Sequence, residues 1–248
     1  MRVLITAGGT SEKIDDVRSI TNHSTGRLGC FLAEEFLKNQ ITVDYVTTTQ
    51  AKHPTENQQL NLYEIAGTQE LADQLQELLE KFSYDAVIHS MAVSDFAPSQ
   101  SYSQEAFLEA INQLFQEKNG PLDKDDLASL SLGEKTNENK ISSNTDQLYL
   151  VLQKTPKVIQ KIKKIQAGTL LIGFKLLVDV SKQTLLTTAK QSLAASQADY
   201  ILANDLAKIK NNQHPGYLIN KDGEIVGEEQ NKEGIAQLIA QTVMKHHR

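Results

Sequence analysis

Short apolar, β-branched runs alternate along this chain with stretches whose apolar residues recur every three to four positions. That is the pattern of strands alternating with amphipathic helices. Residues 3–6 form the first strand-like run, and Phe31, Leu32, Phe36 and Leu37 then share one helical face from near Cys30. Residues 42–47 read as a second strand, Leu71, Leu75, Leu78 and Leu79 as a second helical face, and residues 86–88 as a third strand. This β-α-β-α-β order predicts a parallel sheet with right-handed crossovers. The rhythm breaks from Ser99 to about Gln147. There, Phe107, Ile111, Leu114 and Phe115 predict a helix ended by Asn119-Gly120-Pro121, and the polar residues 123–144 are expected to be mobile. Beyond it, residues 148–152 read as a strand, and Thr155-Pro156 as an N-cap and first-turn proline opening a helix through Lys164. A buried strand at 169–174, a helix to about Ser196 and a strand at 200–203 follow. Residues 217–220 and 224–227 flank Lys221-Asp222-Gly223, a hairpin signal, and 234–246 closes the chain as a helix. The predicted class is α/β: a Rossmann-like, mostly parallel sheet with helices on both faces, a flexible arm and a C-terminal hairpin. The expected organisation is one nucleotide-binding α/β domain over 1–248, with a mobile insertion near 100–147.

Composition narrows the function classes without naming one. The 248 residues carry a net charge of −6, so no strong positive field favours nucleic acid, while a local basic pocket for a phosphorylated ligand stays compatible. Cys30 is the single cysteine, which excludes an internal disulfide and a thiolate metal cluster. The first strand starts almost at Met1, and no apolar run approaches a membrane span, so a cytoplasmic protein is expected. The six histidines show no metal-ligand spacing, and no protein-bound metal is expected.

The richest candidate chemistry lies between the first strand and the first helix. Gly8-Gly9-Thr10 follows the strand without the spacing of a dinucleotide fingerprint or a P-loop. It reads equally as close backbone approach to a ligand, through Gly9, and as a tight strand exit. The stretch 18–29 is stronger. Asn22 offers an amide, while Ser24, Thr25 and Gly26 place hydroxyls and backbone N–H groups at a helix start, where anions are favoured. Arg18 and Arg27 add forked cations. A helix N-cap at Ser24 or Thr25 with two solvated arginines accounts for part of this set only. Ser90, Met91, Ala92 and Asp95 sit past the third strand, where open α/β sheets bind ligands; for Asp95 an N-capping role is the commoner alternative. Lys140 stands alone in a polar segment, and Pro156 and Lys157 open a helix. Phe174 reads either as a base-stacking ring or as a core aromatic, and Asn204-Asp205 as a ligand contact or a turn.

Taken in order, Thr6-Ala7-Gly8-Gly9-Thr10, residues 20–29, Met91-Ala92-Val93-Ser94-Asp95, Lys140-Ile141, Lys154-Thr155-Pro156-Lys157, Gly173-Phe174-Lys175-Leu176 and Ala203-Asn204-Asp205 resemble the phosphopantothenate–cysteine ligases of coenzyme A biosynthesis. The Asn-His-Ser-x-Gly loop is the most specific part. The resemblance covers nearly the whole chain and is closest to the stand-alone bacterial type. It implies an enzyme in which a nucleoside triphosphate, CTP or ATP, with Mg²⁺, activates the carboxylate of 4′-phosphopantothenate. The amine of L-cysteine then displaces the nucleotide. It implies catalytic roles for Asn22 on the acyl carbonyl and Lys140 on the triphosphate, and binding of the substrate phosphate by Arg18. Gly9, Ser24, Thr25, Gly26, Ser90, Met91, Asp95, Pro156, Lys157, Phe174 and Lys190 would then serve the nucleotide, and Ala92 the pantothenate. A homodimer is implied. The chain departs from the family in carrying only Lys190 on the helix where two lysines are usual, and in having Arg27 where lysine is common.

Two other classes compete. A nicotinamide-dependent reductase is disfavoured by the absent G-x-G-x-x-G and by Thr47-Thr48-Thr49, which puts no acidic residue at the end of strand two. A non-catalytic nucleotide-binding protein would leave Lys140 without a task.

Overall fold

The computed structural model describes residues 1–130, 145–210 and 213–247. The chain divides into two compact units, one of Met1–Thr10, Asn22–Val93 and Lys157–Arg248, the other of Ser11–Thr21 and Ser94–Pro156. In chain order the strands are β1 (Arg2–Thr6), β2 (Ser11–Lys13), β3 (Ser19–Thr21), β4 (Thr42–Thr47), β5 (Leu60–Glu64), β6 (Ala86–His89), β7 (Phe96–Ser103), β8 (Leu148–Lys154), β9 (Leu170–Leu177), β10 (Tyr200–Asp205), β11 (Gly216–Asn220) and β12 (Ile225–Glu229). The helices are α1 (Arg27–Lys38), α2 (Thr68–Lys81), α3 (Gln104–Lys118), α4 (Lys124–Ser129), α5 (Val158–Ile165), α6 (Lys182–Ser196) and α7 (Lys232–His246).

The first unit is built on an eight-stranded sheet of order β12-β11-β10-β9-β6-β1-β4-β5. Strands β10, β9, β6, β1, β4 and β5 run parallel, and the β11–β12 hairpin adds antiparallel at one edge. This is the predicted Rossmann-like sheet with its C-terminal hairpin. Side chains alternate across each strand, so every central strand feeds two cores. Val3, Ile5, Ile88 and Ile172 pack on one face with Leu32 and Phe36 of α1 and Ile235 and Ile239 of α7. Leu4, Val87 and Leu171 pack on the other with Leu71 and Leu75 of α2, Ile162 of α5 and Leu185 of α6.

In the second unit β2 pairs with β3 and β7 with β8, both antiparallel. Phe107 of α3 stacks on Tyr149 of β8 at 4.3 Å between centroids.

Several local expectations change. Strand β5 escaped detection because it is an edge strand whose Asn61, Leu62 and Glu64 are exposed. Strand β7 has no apolar run to announce it, and Pro98 sits at an irregularity in its pairing. Part of the segment expected to be mobile is helical. Asp123 accepts from the N–H groups of Asp125 and Asp126, while Asp126 accepts from the N–H of Asp123, a capping box opening α4. Residues 131–144, with the expected mobility there and Lys140, lie outside the described residues. Thr155-Pro156 does not cap α5, which starts at Val158 after Lys157. The Thr155 hydroxyl is engaged elsewhere, donating to the Ser94 carbonyl, and its N–H donates to the Asp95 carbonyl at 3.1 Å.

Candidate functional site

Every parallel strand of the first unit points its carboxyl end to one edge, and there three separated sequence segments converge. Past β1 and β6 the backbones stay in register. The Ala92 N–H donates to the Gly8 carbonyl at 2.9 Å, and the Thr10 N–H to the Ala92 carbonyl at 3.0 Å. The Ser90 hydroxyl donates to the Thr6 carbonyl at 2.6 Å. The Asn22 N–H donates to the Thr10 carbonyl at 3.1 Å, which brings the third segment in. Gly9 is obligatory here, because a Cβ would lie 1.9 Å from the Asn22 carbonyl oxygen. The close approach that Gly9 permits in this structure is to the chain's own main chain at Asn22.

Ser24 and Thr25 are exposed beside the start of α1, but neither caps it. The N-cap is Gly26, at φ +70°, in the left-handed region that favours glycine. A Cβ on Gly26 would also meet the Ala51 Cβ at 2.9 Å and the Lys52 carbonyl at 3.0 Å. The two hydroxyls are thus left uncommitted by the helix they precede. Gly29 lets α1 settle on the sheet, since a Cβ there would be 2.3 Å from that of Ala7. Residues 48–52 wall the loop from behind, with the Lys52 N–H donating to the Thr25 carbonyl at 3.0 Å and the Tyr45 hydroxyl to the Lys52 carbonyl at 3.2 Å. Sequence reasoning missed this wall. The only signal for it is the run of threonines at 47–49 leaving β4.

His89 ends β6 nearly buried, with Nδ1 2.9 Å from the Thr6 hydroxyl. Burial pushes its imidazole down to about 4, so it is neutral at pH 7. Phe174 packs against the α1/α7 core and stays half-buried within β9, one residue past its pairing with β6, and Lys157 is the residue that opens α5. Asn204 and Asp205 resolve as anchors. Asn204 Nδ2 donates to the Pro215 carbonyl at 2.8 Å, and Asp205 accepts from the Asp179 and Ala207 N–H groups at 2.9 and 3.1 Å. Burial works against ionisation of Asp205, but those N–H groups outweigh it and hold the carboxyl below its ordinary range.

Other expected residues are placed differently. The Met91 side chain turns into the α2-side core, because alternation from Val87 sends it there; only its main chain is at the edge. Lys190 stands about 12 Å along α6 from that helix's first residue. Its Cε lies 2.4 Å from where a Cβ on Gly223 would be, beside the hairpin turn at the opposite edge of the sheet. Arg18, Asp95 and Pro156 belong to the second unit, and Lys140 lies outside the described residues. Arg18 is not simply solvated: its Nε and Nη2 donate to Asp15 Oδ2 at 3.0 and 2.6 Å, and its side chain keeps 42% of its surface exposed. Asp95 caps no helix, because β7 follows it. Among the described residues no group of three or more His, Cys, Asp or Glu side chains is placed to hold a metal. No helix among them is long and apolar enough to cross a membrane.

Comparison with known proteins bears on the same residues. The model of the family described as the DNA/pantothenate metabolism flavoprotein C-terminal domain matches residues 1–112 and 132–246. The coenzyme A biosynthesis bifunctional protein CoaBC of Methanocaldococcus jannaschii is 30% identical over 207 residues, which are 84% of this chain and 41% of that protein. CoaBC of Thermococcus kodakarensis is 29% identical over 221 residues, 89% of this chain and 45% of that protein. The chain therefore spans under half the length of these relatives. A crystal structure described as the DNA/pantothenate metabolism flavoprotein from Streptococcus pneumoniae matches with a TM-score of 0.84 and 38% identity over 100% of both chains. With that match over nearly its whole length, the chain belongs to the family of the DNA/pantothenate metabolism flavoprotein C-terminal domain.

Proposed function

We propose that this chain is a phosphopantothenate–cysteine ligase that uses CTP, or ATP in its place, with Mg²⁺ accompanying the nucleotide. The observation that carries the reading is the seating of the Asn22–Gly26 loop on Gly9 at the carboxyl edge, which sets an amide and two hydroxyls that do not cap α1 beside the start of that helix. Relatives named for coenzyme A biosynthesis and the order of the motifs support it.

A carboxylate does not acylate an amine until an oxygen is made a leaving group. In the first step the 4′-phosphopantothenate carboxylate oxygen bonds the α-phosphorus and pyrophosphate departs. In the second the cysteine nitrogen bonds the acyl carbon, the nucleoside monophosphate departs, and the nitrogen loses a proton. Such chemistry asks chiefly for positioning and charge neutralisation. Asn22 donates its amide N–H to the acyl carbonyl as charge develops there. Ser24, Thr25 and the Gly26 N–H hold nucleotide phosphates, Phe174 flanks the base or ribose, and Lys157 adds charge. Gly9, Ser90, Ala92 and the Met91 main chain form the floor. Arg18, already oriented by Asp15, takes the substrate phosphate, Asp95 and Pro156 border the ligand, and Lys140 neutralises the triphosphate. The working form is a cytoplasmic homodimer.

The test is turnover of CTP, Mg²⁺, 4′-phosphopantothenate and cysteine, followed by pyrophosphate and by 4′-phosphopantothenoylcysteine. No pyrophosphate with either CTP or ATP sinks the reading. Asn22→Ala is expected to release pyrophosphate in the first step and to form final product about 10²–10³-fold more slowly. Normal product formation removes Asn22 from its role.

A further inference from the structure

Tyr45 stands two residues before the end of β4 and is fully buried in the core that α1 shares with this face of the sheet. An aromatic ring suits that place, but a buried phenol also carries a hydroxyl that must find a partner. The hydroxyl donates to the Lys52 carbonyl at 3.2 Å. Burial first, then Cys30 and Glu34, raises the phenol above its ordinary range, so it keeps its proton and is a donor at neutral pH. A Cβ on Gly29 would lie 3.1 Å from the hydroxyl oxygen, which sets the phenol against the first turn of α1.

Lys52 belongs to no strand or helix, yet its main chain is held on both sides. The carbonyl takes the Tyr45 hydroxyl, and the N–H donates to the Thr25 carbonyl at 3.0 Å. A Cβ on Gly26 would lie 3.0 Å from the Lys52 carbonyl oxygen and 3.2 Å from its nitrogen, so Gly26 rests on the same two groups. Among the described residues, 49–56 make no other hydrogen bond to a strand. From behind, then, Thr25 and Gly26 are keyed to the sheet through one phenol. Anion binding by hydroxyls and main-chain N–H groups depends on their direction, and a loop free to shift loses it. We propose that Tyr45 is a positioning residue: through the Lys52 main chain, its hydroxyl sets Thr25 and Gly26 where they hold the phosphates of the nucleotide. The phosphates rest on the ligase reading; the linkage from Tyr45 to Thr25 does not.

The test is Tyr45→Phe in the full chain, which removes one oxygen and keeps the ring. Hydrogen exchange followed by NMR is expected to be about tenfold faster at the Lys52 N–H, with the amides of β4 unchanged. In turnover, KM for CTP is expected to rise about tenfold, while kcat and KM for cysteine stay within about twofold. Equal protection of Lys52, or an unchanged KM for CTP, overturns the proposal. A lower melting temperature with both unchanged makes Tyr45 a core residue only. The wild-type chain supplies a second measurement, which needs no variant to fold. Saturating CTP is expected to slow exchange at the Lys52 N–H, and CTP that binds without slowing it overturns the proposal. A wild-type chain that makes no 4′-phosphopantothenoylcysteine with CTP or ATP loses the ligase reading, while faster Lys52 exchange in Tyr45→Phe still keeps the linkage.

Discussion

The two edges of the eight-stranded sheet treat charge in opposite ways. Toward the amino edge, Asp44 is fully buried and every lone pair has a donor. Arg2 Nε and Nη2 reach it at 2.7 and 3.0 Å, the Tyr84 hydroxyl at 2.5 Å and Asn61 Nδ2 at 2.7 Å. The Arg2 guanidinium also lies 3.5 Å over the Phe82 ring. The hydrogen bond to Asp44 raises Arg2, and burial together with that carboxylate raises the Tyr84 phenol. At the carboxyl edge the glycines bring main chain against main chain, hydroxyls stay uncommitted, and Arg27, Lys52 and Lys232 lack ion-pair partners among the described residues. A satisfied network holds a fold together and has nothing left to bind with. Exposed groups such as Ser24, Thr25, Arg27 and Lys52 are satisfied by water instead and stay available to a ligand.

The contrast can be broken at either edge. The largest effect is expected from Asp44→Ala, which strands Arg2, Tyr84 and Asn61 at once. It should cost about 3–5 kcal/mol in urea unfolding while the folded fraction keeps its turnover. Equal loss of specific activity would mean that the amino edge is not purely structural. Next is His89. Its folded value of about 4 lies below the unfolded 6.5, so the unfolded chain binds the extra proton between those values. Stability from the neutral ring is complete above about 6.5 and is lost as pH falls toward 4, roughly 3 kcal/mol over the window. Melting temperatures across this range should fall less steeply in His89→Gln than in the wild type. His214, pushed down to about 4 by burial and Lys232, supplies the slope that remains. The smallest of the three in energy is Gly9→Ala. Its Cβ must move the Asn22 carbonyl by more than 1 Å. Product formation should drop by about 10²-fold, the effect of a misplaced reacting group, with a lesser change in melting. A drop in melting with full activity would show that the loop does not need this seat.

Much of the fold was legible because it follows from local rules. The apolar run at 42–47 and the helical face of Leu71, Leu75, Leu78 and Leu79 each bury against a core, and burial leaves a period in the sequence. Where burial is shallow the period fades: β5 lies on the sheet's edge, β7 contains Pro98, and β2 and β3 were hidden inside what read as one loop. Capping misled twice, since Ser24, Thr25 and Thr155 have the chemistry of caps, yet Gly26 and Lys157 occupy the positions. The composition of the carboxyl-edge site was readable too, because amides, hydroxyls and glycines are conspicuous between a strand and a helix. Lys190 was not separable from it, since a lysine on a helix gives no sign of which end of the sheet it approaches.

The sequence by itself determined an alternating α/β chain, its C-terminal hairpin, and the kinds of groups gathered near the first helix. Tertiary structure alone decided three matters. Gly9 lies against Asn22 because β1 and β6 continue in register past their ends. Met91 faces a core because strand alternation fixes its side. Arg27, Lys52 and Lys232, 205 residues apart from first to last, face one groove because α1 and α7 pack on the same side of the sheet. Local pattern reports what each residue does to its own segment. Charges that converge across distant segments leave no period in the chain, and only the fold brings them together.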